Sequence, residues 1–203
     1  MKRAIDICLA GTFLIVSILP MACIAMLIRL TSKGPALHWS KRIGRDNQIF
    51  RMPKFRTMRI DTPQLATHKL DNADLWMVPG GRLLRTTSLD ELPQLWSVLV
   101  GDMTLVGPRP ALFNQDDLVA ARTRVGVHRL VPGVTGWAQV NGRDELSIPE
   151  KVEYDRHYAT HQTHALDLRI MLMTAVRVFH KDGIAQAGEE SRGLEPSSER
   201  RAA

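Results

Sequence analysis

Residues 7–28 carry no charged side chain, and this run limits what the chain can fold into more than any other feature. A helix needs roughly 20 apolar residues to match a bilayer core, so the run is long enough to enter or cross one. Cleaved secretory signals end a shorter apolar stretch at a small-residue site, whereas this run continues straight into Arg29 and Lys33. A simple span concentrates basic residues on its cytoplasmic side. Here Lys2 and Arg3 precede the run, and Arg29, Lys33, Lys41, Arg42 and Arg45 follow it, so both ends read as cytoplasmic. Pro20, in the middle, removes one backbone hydrogen bond and its ring collides with the preceding turn, which predicts a kink. The hydroxyl of Ser17, one turn earlier, is placed to take up a freed carbonyl. The expectation is a re-entrant membrane helix-break-helix over residues 1–33 that returns to the face it entered, with a spanning helix as the alternative.

The remainder is polar enough to be soluble, and 203 residues allow one compact domain beside the membrane segment. Residues 36–39 and 48–58 read as short extended segments, and residues 61–74 as a polar loop or short helix. Helices are expected over 92–100, 116–124, 149–157 and 167–179, the third with Pro149 and Glu150 in its first turn. Asn141-Gly142 is a hairpin-type turn signal. The sum is an α+β, mainly helical fold: a membrane segment over 1–33, a small cytosolic catalytic domain over 34–186 with few short strands, and a disordered tail over 187–203 poor in apolar residues. Cys8 and Cys23 both lie in the apolar run without CxxC spacing and read as buried free thiols.

A net charge of +6 implies an anionic partner without saying which. Residues 82–96, RLLRTTSLDELPQLW, are more specific. Ser88 and Glu91 have capping-box spacing, and Pro93 suits a first helical position. Asp90 and Glu91 therefore fall at or just before a helix N-terminus, where the dipole favours both an ionised carboxylate and bound phosphate. A plain capping role is the bland alternative, but cations crowd the window. Arg85 lies just upstream, and Gly107-Pro108-Arg109-Pro110 holds one guanidinium between two rigid residues. If residues 48–58 are extended, Lys54 and Arg56 point the same way and both face a diphosphate.

Four motifs carry a resemblance to a known family: KFRTM at 54–58, TSLDELPQ at 87–94, GDMTLVGPRP at 101–110 and PGVTGWAQVNGR at 132–143. Together with the membrane segment they resemble the bacterial sugar transferases, monotopic phosphoglycosyl transferases that prime glycan assembly on undecaprenyl phosphate. The resemblance implies transfer of a sugar 1-phosphate from a UDP-sugar to undecaprenyl phosphate with release of UMP, on the cytoplasmic face of the bacterial inner membrane. It implies Asp90 as nucleophile and metal contact, Glu91 as second acid, and Mg2+ as cofactor. Lys54, Arg56, Arg85 and Arg109 become candidate phosphate ligands, and Gln139, Asn141 and Arg143 candidate nucleotide or sugar contacts. The chain departs from the family pattern at Leu19, where a Ser commonly precedes the proline, and at Pro53, where a Tyr is common.

Competing readings are a phosphatase acting on polyprenyl phosphate and a membrane-tethered nucleic-acid binder. The second lacks the aromatic stacking platform such proteins use, so nucleic acid is not expected as a partner. His157, His161 and His164 have helical spacing but no HExxH context, which favours a surface cluster over a zinc site. A single long apolar segment excludes the polytopic class of sugar-phosphate transferases. The sugar, the glycan pathway (exopolysaccharide, O-antigen or capsule) and a homo-oligomeric state stay open.

Overall fold

The computed structural model describes residues 1–62, 73–142 and 145–180. Arg143, most of the expected polar loop and the expected disordered tail lie outside the described residues. The fold is α+β and mainly helical with few short strands, as expected from the sequence.

Helix α1, Lys2–Thr31, runs through Pro20 as one element. The expected break into two helices is not seen. Proline withholds a single N–H, and the helix is held against protein in the turns before and after it. The held positions are Asp6, Leu9, Ala10 and Leu14 on one side and Met21, Ile24, Ala25 and Ile28 on the other, each group lying on one helical face, while residues 15, 16 and 18–20 between them are exposed. The opposite face is exposed and apolar, with Val16, Leu19 and Leu30 each at least 70% exposed. Cys8 and Cys23 lie on that outer surface rather than buried, because the apolar context that suggested burial belongs to a helix whose apolar side looks outward. Among the described residues this is one helix long and apolar enough to cross a membrane, and only 11% of its most hydropathic window is buried, which sets it apart from a soluble core helix.

Both ends of α1 are fastened to the same body. At the start, Lys2 Nζ pairs with Asp167 Oδ2 at 2.6 Å and donates to the Val106 carbonyl, while Arg3 donates to the carbonyls of Val98 and Leu99. Asp6, buried, accepts from the Thr104 hydroxyl at 2.6 Å and from the Leu105 amide. At the far end, Arg56 donates to the carbonyls of Ser32 and Lys33.

Strands β1, Leu37–Ile43, and β2, Ile49–Phe55, form an antiparallel hairpin with His38 opposite Lys54 and Arg42 opposite Phe50. Helix α2, Gly81–Thr86, leads to a 3-10 turn at Leu89–Glu91, then to α3, Gln94–Val100. Strands β3, Thr104–Val106, and β4, Gly133–Thr135, pair in parallel. Backbone approaches backbone here without space for side chains: a Cβ on Gly133 would collide with Gly107, and one on Gly107 would sit 2.6 Å from the Val131 carbonyl. Glycine is therefore required at both positions. Helix α4, Asp116–Arg124, packs on α5, Ile148–Thr160, through the buried pair Arg122–Asp155 at 2.6 Å. A capping box between Ser147 and Glu150 starts α5, and α6 is His164–His180. Asn141-Gly142 ends a 3-10 turn, Gln139–Asn141, instead of a hairpin, since the Gln139 and Asn141 side chains bond back to the Val134 and Trp137 carbonyls.

Three apolar cores result among the described residues, the smallest of Ala111, Leu118 and Val152, and α1 contributes to the other two. One gathers Ala10 of α1 with Met52, Leu95, Val98, Val106, Val140, Tyr158 and Ile170. The other packs Ile24 and Ile28 of α1 against Phe55 and Leu84, with Leu89 at its edge.

Candidate active site

The site is built on the turn Leu89–Glu91. Ser88 enters it with φ 56°, a left-handed conformation uncommon outside glycine and asparagine, and so turns the chain sharply after α2. Leu89 then packs against the core formed by Ile24, Ile28, Phe55 and Leu84, and Asp90 is left 7% exposed. The expected Ser88–Glu91 capping box is absent, with no side-chain cap at Ser88. Glu91 instead takes Arg109 in a two-pronged contact, Nη2 to Oε1 at 2.7 Å and Nη1 to Oε2 at 3.5 Å. The carboxylates thus occupy a turn ahead of α3 rather than its first turn, because α3 starts at Gln94 after Pro93.

Cations surround this pair. Burial and the neighbouring Glu91 charge push the Asp90 carboxyl up to about 6, against the pull of Lys54, Arg85 and Arg109. Burial and the charges of Arg42 and Arg85 push the Lys54 ammonium down to about 8, while Asp90 and Glu91 hold it up. Burial and Arg109 bring the Arg42 guanidinium down to about 10. These mutual effects put Arg42, Lys54, Arg85 and Arg109 in one electrostatic site with Asp90 and Glu91. Four cations face two acids, so the site favours an added anion. Arg85 is oriented by Nε donating to the Thr57 hydroxyl at 3.1 Å, and Arg42 by contacts to Ser40 Oγ and the Pro110 carbonyl.

Of the residues singled out in the sequence, Lys54, Arg85, Asp90, Glu91 and Arg109 converge. Arg56 does not: β2 ends at Phe55, strand alternation lapses, and the guanidinium is buried against the end of α1. Gln139 and Asn141 fold their own turn. Arg42 and His38 were missed. They reach the site through hairpin pairing, and the available signal was the shared parity of 38, 40 and 42 on a strand facing Lys54. His38 stands directly across from Lys54, and partial burial together with Lys54 and Arg42 lowers its pKa. His157 and His161 stack at 4.3 Å between ring centroids, and among the described residues no group of three or more metal-ligating side chains occurs.

An acid pair ringed by cations, in a body that also carries a helix of membrane-segment length, defines an anion-handling centre. The sequence profile of the bacterial sugar transferases matches residues 1–181. A UDP-glucose:undecaprenyl-phosphate glucose-1-phosphate transferase of Escherichia coli K12 is 36% identical over 88% of the chain and 40% of its own length. The sugar transferase EpsL of Bacillus subtilis 168 is 37% identical over 92% of the chain and 91% of its own length. An undecaprenyl-phosphate N-acetylgalactosaminephosphotransferase of Aeromonas hydrophila that uses UDP-N-acetylgalactosamine is 35% identical over 85% of the chain and 42% of its own length. The chain thus spans about 40% of two of these relatives and nearly all of the third. It belongs to the bacterial sugar transferase family.

Proposed function

We propose that the chain transfers a sugar 1-phosphate from a UDP-sugar to undecaprenyl phosphate through an ester on Asp90, as the initiating step of a surface glycan. The observation that carries this reading is a buried carboxylate, Asp90, held among Lys54, Arg85 and Arg109 with a second acid beside it. Such a group is poised to attack an electrophile that brings its own negative charge, since the cations bind the phosphates and burial removes competing water.

In the first half-reaction an Asp90 oxygen forms a bond to the sugar-linked phosphorus, and the bond from that phosphorus to the bridging oxygen breaks. UMP leaves with the bridging oxygen and its electron pair. In the second, a phosphate oxygen of undecaprenyl phosphate attacks the same phosphorus and the Asp90 carboxylate is expelled, giving undecaprenyl diphosphate-sugar. Lys54, Arg85 and Arg109 hold the diphosphate, with Arg42 as a fourth cation at the rim. Glu91 fixes Arg109 and keeps Asp90 basic through like-charge repulsion. The donor set suits Mg2+, which accepts one or two carboxylates and takes its remaining oxygens from substrate phosphates and water. Asp90 would hold it, Glu91 being engaged by Arg109, and the ion would supply charge neutralisation at the leaving phosphate.

The attachment of both ends of α1 to one body supports a monotopic placement with the catalytic domain on the cytoplasmic face, and the exposed side of α1 meeting lipid. The test is a single-turnover reaction with a panel of UDP-sugars and no acceptor. One equivalent of UMP and a phosphosugar adduct on Asp90 are expected, both absent in Asp90→Asn. Release of inorganic phosphate from undecaprenyl phosphate without any nucleotide sugar would replace this reading with a phosphatase.

A further inference from the structure

We infer that the buried pair Arg122–Asp155 is a positioning device that sets where Arg109 presents its guanidinium; as a role in transfer, this rests on the function proposed above. Asp155 is 1% exposed and Arg122 is 9% exposed. Asp155 Oδ2 accepts from Arg122 Nε at 2.9 Å and from Nη2 at 2.6 Å. The third branch of the same guanidinium, Nη1, donates to the Arg109 carbonyl at 2.7 Å. Arg109 in turn reaches Glu91 at 2.7 Å. A continuous chain of charged contacts therefore runs from α5 through α4 to the loop that carries Arg109 and on to the acid pair.

Two features make this chain more than packing. First, Arg109 is the half-buried residue of its loop, between buried Pro108 and buried Pro110 and Ala111. A small cleft of about 30 Å3 lies against Pro108, Arg109, Pro110, Arg122 and His128. A residue beside a cleft has fewer van der Waals contacts on that side, so its place leans on the hydrogen bonds of the loop. Those are the Arg122 bond at Arg109, the Arg42 bond at Pro110 and the Gly133 amide at Pro108. Second, an ion pair buried this deeply gains little stability over an apolar pair of similar size. Its distinctive property is the fork: Asp155 occupies two guanidinium nitrogens and aims the third at one carbonyl, which neither Lys nor an apolar side chain reproduces. Pro108 and Pro110 stiffen the loop on either side, so that fixing the carbonyl of Arg109 fixes the start of its side chain.

The experiment is a double-mutant cycle on the full chain in nanodiscs, with kcat/KM for UMP release and Kd for inorganic pyrophosphate as parallel readouts. Arg122→Lys and the apolar pair Arg122→Met with Asp155→Leu are each made in wild-type and Arg109→Ala backgrounds, with Tm measured for all. The expected result is a roughly 10- to 100-fold loss in kcat/KM and a weaker pyrophosphate Kd in both variants, with Tm near that of the parent. In the Arg109→Ala background neither change adds a further loss, because the tether then has nothing to position. Wild-type activity in the apolar pair, or losses that multiply with Arg109→Ala, would overturn the inference and leave the pair a packing element. Absence of UMP release from every UDP-sugar in the wild-type chain would instead strike the transfer reaction, while the pyrophosphate cycle still decides the tether.

Discussion

Replacing Asp90, the proposed nucleophile, should stabilise the protein, and the gain should depend on pH. Asp90 ionises near the ordinary value of 3.8 when unfolded and at about 6 when folded. Well below pH 3.8 the carboxyl is protonated in both states and contributes nothing. Between these values the unfolded chain loses its proton first, so stability drains as pH rises, and above pH 6 the penalty is complete. A difference of about two pH units corresponds to about 3 kcal/mol. Asparagine has the shape of the protonated acid and carries no charge, so Asp90→Asn removes the penalty. In a chain of this length each kcal/mol moves Tm by roughly 2–4 °C, which sets the expected rise at roughly 6–12 °C at pH 8 and only about 1–2 °C at pH 4. Thermal unfolding in nanodiscs at both pH values, beside the UMP assay, measures the trade between stability and function. Equal gains at the two pH values, or a less stable Asp90→Asn at pH 8, would refute the claim that burial and Glu91 hold this carboxyl in an unfavourable ionised state.

Further expectations concern the surrounding groups. Lys54 gives up its proton at about 8 in the free site, so UMP affinity should fall as pH rises through 8, and Lys54→Arg should move that limb upward; a pH series of calorimetric titrations reads it. Arg56→Ala should lower stability by about 2 kcal/mol through loss of charged hydrogen bonds to the end of α1 while leaving pyrophosphate affinity unchanged, and a weakened Kd would return Arg56 to the phosphate site. Asp167→Asn removes the charge paired with Lys2 at 2.6 Å and should cost about 2 kcal/mol, seen as a lower Tm with donor affinity retained.

The parts of the site that were legible in the sequence are those whose chemistry lies in one short window. Asp90 and Glu91 stood out because acids, proline and nearby cations crowd residues 82–96, and Arg109 because two prolines flank it. Arg56 was misplaced because the alternation argument needs a strand, and β2 stops one residue short of it. Arg42 and His38 escaped because their place is set by pairing across the hairpin, a contact that local pattern does not encode. The length of α1 and the basic residues at both its ends were plain. Its continuity through Pro20 was not, since the contacts that hold the helix before and after the proline are tertiary and local pattern does not encode them.

The attachment of α1 bears on how this enzyme can be handled. Ala10 and Ile28 are fully buried, in two different apolar cores, and Leu89, next to Asp90, packs on the core that Ile24 and Ile28 help to form. Trimming the first 31 residues to obtain a water-soluble fragment would strip a wall from two apolar cores, including the one on which Leu89 packs. Solubility must therefore come from a lipid mimic around the intact chain, and a truncated preparation should precipitate rather than turn over.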